Sequence, residues 1–231
     1  MISIHHHGVI INFIASSIIY KNTISVIIGT SACLGGPVAN NFLHGQPDKA
    51  REYAGKLAEM LRVIYACPKP TIARVQGDAY AGGTGLVAAC DIAVSADTAG
   101  YCLSEVKLGL IPATISPYVI RAMGTRAAHR YFLTAERFGA AEALRIGFVH
   151  EVAAADALDA KVAALAQALV AAGPEALKAC KKLLHDVAGE EITAGLVRQT
   201  VEAIADIRAS DEGREGVQSF LGKRKPNWLV G

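Results

Sequence analysis

An α/β domain built from crossover units is the fold class this sequence predicts, and three observations predict it. First, Lys69 to Asp91 reads KPTIARVQGDAYAGGTGLVAACD: a β-branched run (Thr71, Ile72, Val75), a turn at Gly77, then an apolar helix opened by Gly82-Gly83 and carried by Leu86, Val87, Ala88 and Ala89. Second, the alternation continues, with Asp91–Ala96 reading as a strand and Tyr101–Leu103 as a short extended piece before Glu105. Third, beyond a short strand at Phe148–Val152 the pattern is helical throughout.

The remaining elements follow in chain order. Among residues 1–46 Lys21 is the sole charged side chain, and Gly8–Tyr20 and Thr23–Gly29 read as two buried strands turning at Lys21-Asn22. His5, His6 and His7 on a strand alternate faces and do not converge on one metal ion. After a polar loop, Asp48–Tyr65 carries Tyr53, Leu57, Met60, Leu61 and Ile64 at helical spacing, stopped by Pro68 and Pro70. Ser116–Met123 and Ala127–Leu133 read as two short helices, and Ala140–Ile146 as another closed by Gly147. Leu158, Val162, Leu165 and Leu169 mark one later helix face, Leu177, Cys180 and Leu184 a second, and Ile192–Arg208 forms a third helix. The division expected is a core at 1–150 and a helical region at 151–231.

The 231 residues carry a net charge of +2, which excludes the strongly basic kind of nucleic-acid protein. With 52% hydrophobic and 19% charged residues, the composition suits a chain that also buries surface between subunits. Five cysteines with no CxxC pair argue against a disulfide framework or a zinc site and for a reducing compartment; Cys90 and Cys102 read as core filler. No apolar run reaches the ~18 residues of a membrane span, and no signal-peptide pattern opens the chain. The expectation is a cytoplasmic protein with no membrane or nucleic-acid partner.

Two features carry chemistry. A strand, glycine turn and helix present unsatisfied backbone N–H groups at a helix N-terminus, a place for an anion or for an oxygen that becomes anionic, and Gly82 and Gly83 allow a close approach. Glu105, among Leu103, Val106, Leu108 and Leu110, is either a partly desolvated acid/base group or a surface glutamate paired with Lys107.

The wording of several stretches resembles the enoyl-CoA hydratase/isomerase (crotonase) superfamily: Cys67–Ala73, Gly77, Ala79, Gly82-Gly83 and Ala89–Ala93, then Leu103-Ser104-Glu105, Leu108–Pro112 and Thr134–Arg137. Ala141–Ala143, Gly147–Val149, Glu212–Val217 and Phe220–Pro226 continue it, so the resemblance covers about Leu57 to Trp228. It is closest in wording to bacterial methylglutaconyl-CoA hydratase-like members. What it implies is a spiral of ββα units with a helical C-terminal region that forms trimers, or hexamers as dimers of trimers. It also implies no permanent cofactor, with coenzyme A entering as part of an acyl-CoA substrate.

By resemblance, the thioester oxygen is held by the backbone N–H groups of Gly35 and Gly82, and Glu105 moves the proton. Ala32, Leu34, Ala79 and Tyr80 line the coenzyme site, and Lys223 and Lys225, with Arg224 between them, meet its phosphates. Asp78, Tyr80 and Ser104 are possible helpers, and Arg121, Arg126 and Arg137 either face an acidic acyl tail or form structural ion pairs. The chain departs from the pattern twice. Its first strands are shortened and divergent, with Pro37-Val38 after the Gly35 turn. Gly85 stands where efficient hydratases of the family carry a second glutamate. The expected function is hydration of a 2-enoyl-CoA, a branched one included, through one glutamate. The alternatives are a Δ3-Δ2-enoyl-CoA isomerase, which needs a single carboxyl, and a weakly active acyl-CoA-binding member. The small Gly85 is expected to leave room for a bulkier acyl group.

Overall fold

Strand β3 (Thr71–Val75) is buried at every position except Arg74, because it lies in the middle of a five-stranded sheet. In a computed structural model that describes residues 17–20, 23–28 and 47–230, the strand order is β1 (Ser17–Tyr20), β2 (Thr23–Ile28), β3, β5 (Ile92–Ala96) and β8 (Glu151–Ala153). Registers run parallel from β2 to β8: Ile24 opposite Thr71, Ile72 opposite Ile92, Val94 opposite Glu151. Inner strands of a parallel sheet are covered on both faces, which accounts for the continuous apolar wording of TIARV and IAVSA. Parallel neighbours require a crossover; between β3 and β5 it is made by β4 (Ala79–Tyr80) and a helix at Gly82–Ala89.

A second sheet of three strands places β4 parallel to β6 (Gly100–Cys102), and β6 antiparallel to β7 (Phe138–Gly139). Its core is aromatic: Phe138 stacks on Tyr101 with ring centres 5.5 Å apart and on Tyr131 at 4.3 Å, and Phe148 meets Tyr101 edge-on at 5.2 Å. The buried Tyr101 hydroxyl donates to Ser95 Oγ at 2.7 Å; burial pushes its pKa up to about 12.

Among the described residues the helices are α1 (Pro47–Tyr65), α2 (Gly82–Ala89), α3 (Ser116–Thr134), α4 (Ala140–Arg145), α5 (Leu158–Val170), α6 (Pro174–Val187), α7 (Ala194–Ala209) and α8 (Asp211–Leu221). Helix α1 buries Leu61 and turns the ion pairs Lys56–Glu52 and Arg62–Glu59 outward. The two short helices expected around Gly124 form one element, broken there by a non-helical glycine (φ 76°, ψ 158°). Phe148 and Val149 do not extend into a strand. Their N–H groups both turn back to the Ala143 carbonyl, at 2.8 and 3.2 Å, so β8 begins only at Glu151.

The chain divides into two compact units: the main division falls inside α5, between Ala164 and Leu165, and Tyr20–Thr23 and Pro68–Pro70 belong to the second unit. In the second unit, Thr193 Oγ1 caps α7 and Ser210 Oγ caps α8. The Glu212 carboxylate accepts from the N–H groups of Glu175 and Ala176 at the start of α6, at 3.0 and 2.8 Å. The face expected at Leu177, Cys180 and Leu184 is not a buried one. Cys180 and Leu184 are exposed, and the buried side chain of that helix is Lys181, whose Nζ lies 3.3 Å from the Lys69 carbonyl oxygen. Among the described residues no helix is long and apolar enough to cross a membrane.

Candidate active site

Strands β4 and β6 lie side by side and point the same way, Ala79 opposite Tyr101 and Tyr80 opposite Cys102, so the segments leaving them emerge at one end of the pair. From β4 the chain passes through Ala81, whose N–H donates to the Cys102 carbonyl at 2.9 Å and whose carbonyl accepts from Gly85 N–H at 3.2 Å. Ala81 is held at φ 48°, ψ −117°, a region that disfavours a side chain. The buried Thr84 hydroxyl reinforces this junction, donating to the Ala79 carbonyl at 3.0 Å with the Cys102 carbonyl at 3.4 Å. Helix α2 therefore starts abruptly. Among the described residues the N–H groups of Gly82, Gly83 and Thr84 meet no backbone acceptor, as the first turn of a helix dictates. They form the positive end of the helix.

From β6 the chain passes through buried Leu103 into a 3-10 helix, Glu105–Leu108, that begins with the glutamate. Glu105 is 7% exposed, which decides against the surface-glutamate alternative; Lys107 is exposed and forms no ion pair with it. Its Oε2 is the one buried side-chain nitrogen or oxygen that lacks a hydrogen-bond partner among the described residues. Desolvation raises the carboxyl pKa, opposed by a hydrogen bond from the residue's own backbone N–H. A buried polar atom without a partner is costly, and such atoms cluster where a ligand completes them.

Gly109 (φ 70°) ends the 3-10 helix, and Leu110 N–H returns to the Glu105 carbonyl at 3.0 Å. The chain then folds back so that Ile115, almost fully buried, lies on Gly85. A Cβ at residue 85 would stand 2.2 Å from Ile115 Cγ2 and 2.7 Å from its Cβ. The room expected beside Gly85 is therefore absent: a branched aliphatic side chain fills it.

The structure thus brings Ala79, Tyr80, Gly82 and Glu105 to one end of the β4–β6 pair. Gly35, Ala32 and Leu34 lie outside the described residues. Lys223 and Lys225 are exposed in the second unit, and the Arg224 between them is engaged by Glu215 at 2.6 and 2.7 Å. Asp78 is held by Arg137, with Nη2 2.7 Å from Oδ1, and Arg121 donates to the Pro117 carbonyl. Sequence reasoning missed Thr84, the Cys102 carbonyl and Ile115. A hydroxyl one turn into an otherwise apolar helix was the available signal for Thr84, whereas nothing local marks Ile115. The arrangement can stabilise an oxygen that gains negative charge and can move one proton beside it.

The family model for enoyl-CoA hydratase/isomerase matches residues 26–230. The chain is 37% identical over 184 residues to the enoyl-CoA hydratase ACTT6 of Alternaria alternata (78% of this chain, 61% of that one). It is 34% identical over 180 residues to the carnitinyl-CoA dehydratase of Citrobacter koseri (73% and 66%). It therefore spans about two thirds or less of the length of these curated relatives. The crystal structure of a Legionella pneumophila chain assigned as an enoyl-CoA hydratase/isomerase (crotonase) superposes with a TM-score of 0.86 at 34% identity, covering 93% of this chain and 98% of that one. With the family model matching residues 26–230 and the architecture superposing on that of the Legionella chain, this chain belongs to the enoyl-CoA hydratase/isomerase family, the crotonase superfamily.

Proposed function

We propose that this chain acts on acyl-CoA thioesters, holding the thioester oxygen on the N–H of Gly82, with that of Gly35 as second donor, while Glu105 exchanges a proton with the acyl chain. The observation that carries the reading is the Glu105 carboxyl, buried with Oε2 unpartnered among the described residues, in the 3-10 helix that follows β6, the strand that Ala81 ties to the start of α2. A lost oxyanion donor costs about 10²–10³ in rate, so both backbone groups matter as much as the carboxyl.

Addition of water across a 2-enoyl-CoA is the leading reaction, supported by the hydratase and dehydratase names of the relatives. Water's oxygen bonds to C3, C2 receives a proton, and Glu105 relays the proton balance. The second reading is a double-bond isomerase, favoured by one observation: the place beside Gly85 is taken by Ile115, so no second carboxyl projects there. The substrate of this reading is of the coenzyme A class, with Ala32, Leu34, Ala79 and Tyr80 as its contacts, and Lys223 and Lys225 as phosphate contacts for the ligand of a neighbouring subunit. Association into trimers is supported by the exposed apolar side chains Leu184, Ile192, Val201, Ile204, Phe220 and Leu221; sedimentation of the purified protein tests it.

A spectrophotometric trial with crotonyl-CoA, 3-methylglutaconyl-CoA and a 3-enoyl-CoA tests the reading. Turnover of at least one, abolished by Glu105→Gln with coenzyme A binding retained, is the expected result. Binding and turnover of none would remove it.

A further inference from the structure

Helix α2 carries glycine at position 85, three residues beyond Gly82, and the missing side chain is not an opening. Ile115 approaches so closely that a Cβ there would overlap both its Cγ2 and its Cβ, at 2.2 and 2.7 Å. The second of these atoms is one bond from the backbone, so rotation about χ1 cannot clear it. The backbone of Ile115 is fixed too, since its carbonyl accepts from the N–H groups of Tyr118 and Val119, both at 3.1 Å, in the first turn of α3. Ile115 and Gly85 therefore interlock as a large-small pair. The contact joins the helix whose N-terminus bears the Gly82 N–H to the segment that returns from the 3-10 helix of Glu105.

We propose that Ile115 is a specificity-determining residue of this site: filling the space beside Gly85 with hydrocarbon, it leaves a reacting water without a hydrogen-bond partner on that side and excludes a second proton carrier, and so lowers hydration relative to double-bond isomerisation. The inference rests on the reading of the site as an acyl-CoA site and assigns the balance between its two reactions to one side chain. Isomerisation needs no water. Glu105 takes a proton from C2 of a 3-enoyl thioester, and the electron pair is held as the conjugated enolate. The proton then returns to C4 as the double bond moves to C2–C3. Hydration needs a water oxygen at C3, and an apolar wall offers that water no hydrogen bond. Apolar pockets of this kind discriminate by one to two orders of magnitude for small changes.

The test compares kcat/KM for hydration of 2-hexenoyl-CoA and for isomerisation of 3-hexenoyl-CoA in the wild type, Ile115→Thr and Ile115→Val, with hexanoyl-CoA binding measured by calorimetry. Both substitutions keep Cβ and the Cγ2 methyl over Gly85; only threonine puts a hydroxyl that can hold water in place of the Cγ1 arm, and the binding measurement reports whether each variant is folded. The expected result is a ratio of hydration to isomerisation raised about tenfold or more in Ile115→Thr and changed by less than about twofold in Ile115→Val, with binding alike in all three. An unchanged ratio in Ile115→Thr with binding intact, or an equal change in Ile115→Val, overturns the role of Ile115 and leaves the acyl-CoA reading standing. Absence of hexanoyl-CoA binding in the wild type overturns that reading, and the inference with it.

Discussion

The Ala81 N–H donates to the Cys102 carbonyl at 2.9 Å, and this one bond joins the turn ahead of Gly82 to the strand ahead of Glu105. It is made from a backbone conformation (φ 48°) that an alanine adopts at a cost of about 1–3 kcal/mol. Ala81→Gly should therefore stabilise the chain by about 0.5–1 kcal/mol, and Ala81→Val should destabilise it by more than that. Urea denaturation of the three proteins checks the order; a wild type more stable than Ala81→Gly would contradict it.

Thr84→Val retains the shape of a side chain that is 0% exposed but removes the donor to the Ala79 carbonyl. A loss of about 1–3 kcal/mol is expected from the buried acceptor left behind. Turnover should fall further than the folded fraction does, because the same hydroxyl steadies the first turn of α2. Paired denaturation and kinetic measurements read the two effects separately.

Glu105 links activity to pH and stability. Its folded-state pKa is raised by burial, so the native state holds the proton more tightly than the unfolded chain does. The contribution to stability is full below the unfolded value of about 4.3 and is lost as pH rises through the raised folded value. Glu105→Gln removes that dependence, and its thermal midpoint should gain on the wild type between pH 4 and pH 7. The wild-type kcat/KM should rise with pH through an apparent pKa above the ordinary carboxylate range, since the proton-accepting form is the carboxylate.

Glu142 behaves in the opposite sense. The Arg145 guanidinium, and then the Tyr131 hydroxyl at 2.6 Å, hold its pKa down to about 2. Its contribution is present above the unfolded value and lost as pH falls through about 2. In Glu142→Gln the difference in unfolding midpoint between pH 7 and pH 3 should be smaller than in the wild type.

Periodicity exposed those parts of the molecule whose reasons are local. The β-branched run of β3, the glycine start of α2 and the break at Gly124 each rest on neighbours a few residues away. Glu105 could not be separated from a surface glutamate by local pattern, because burial of its carboxyl depends on segments brought in by the fold. Ile115 was invisible for the same reason: Gly85 stood out by resemblance, but the residue that packs on it is 30 positions away and looks ordinary alone. The Leu177, Cys180 and Leu184 face shows the converse. Helical spacing located the helix but not its buried face: Cys180 and Leu184 stay exposed while Lys181 is buried.

Exchange of the C2 hydrogens of hexanoyl-CoA in deuterated water, followed by mass spectrometry, isolates proton transfer from either overall reaction, since a saturated thioester can be neither hydrated nor isomerised. The account predicts catalysed exchange by the wild type and a loss of about 10²-fold or more in Glu105→Gln with hexanoyl-CoA still bound. Equal exchange by the two proteins would contradict it, and would mean that the proton moves without this carboxyl.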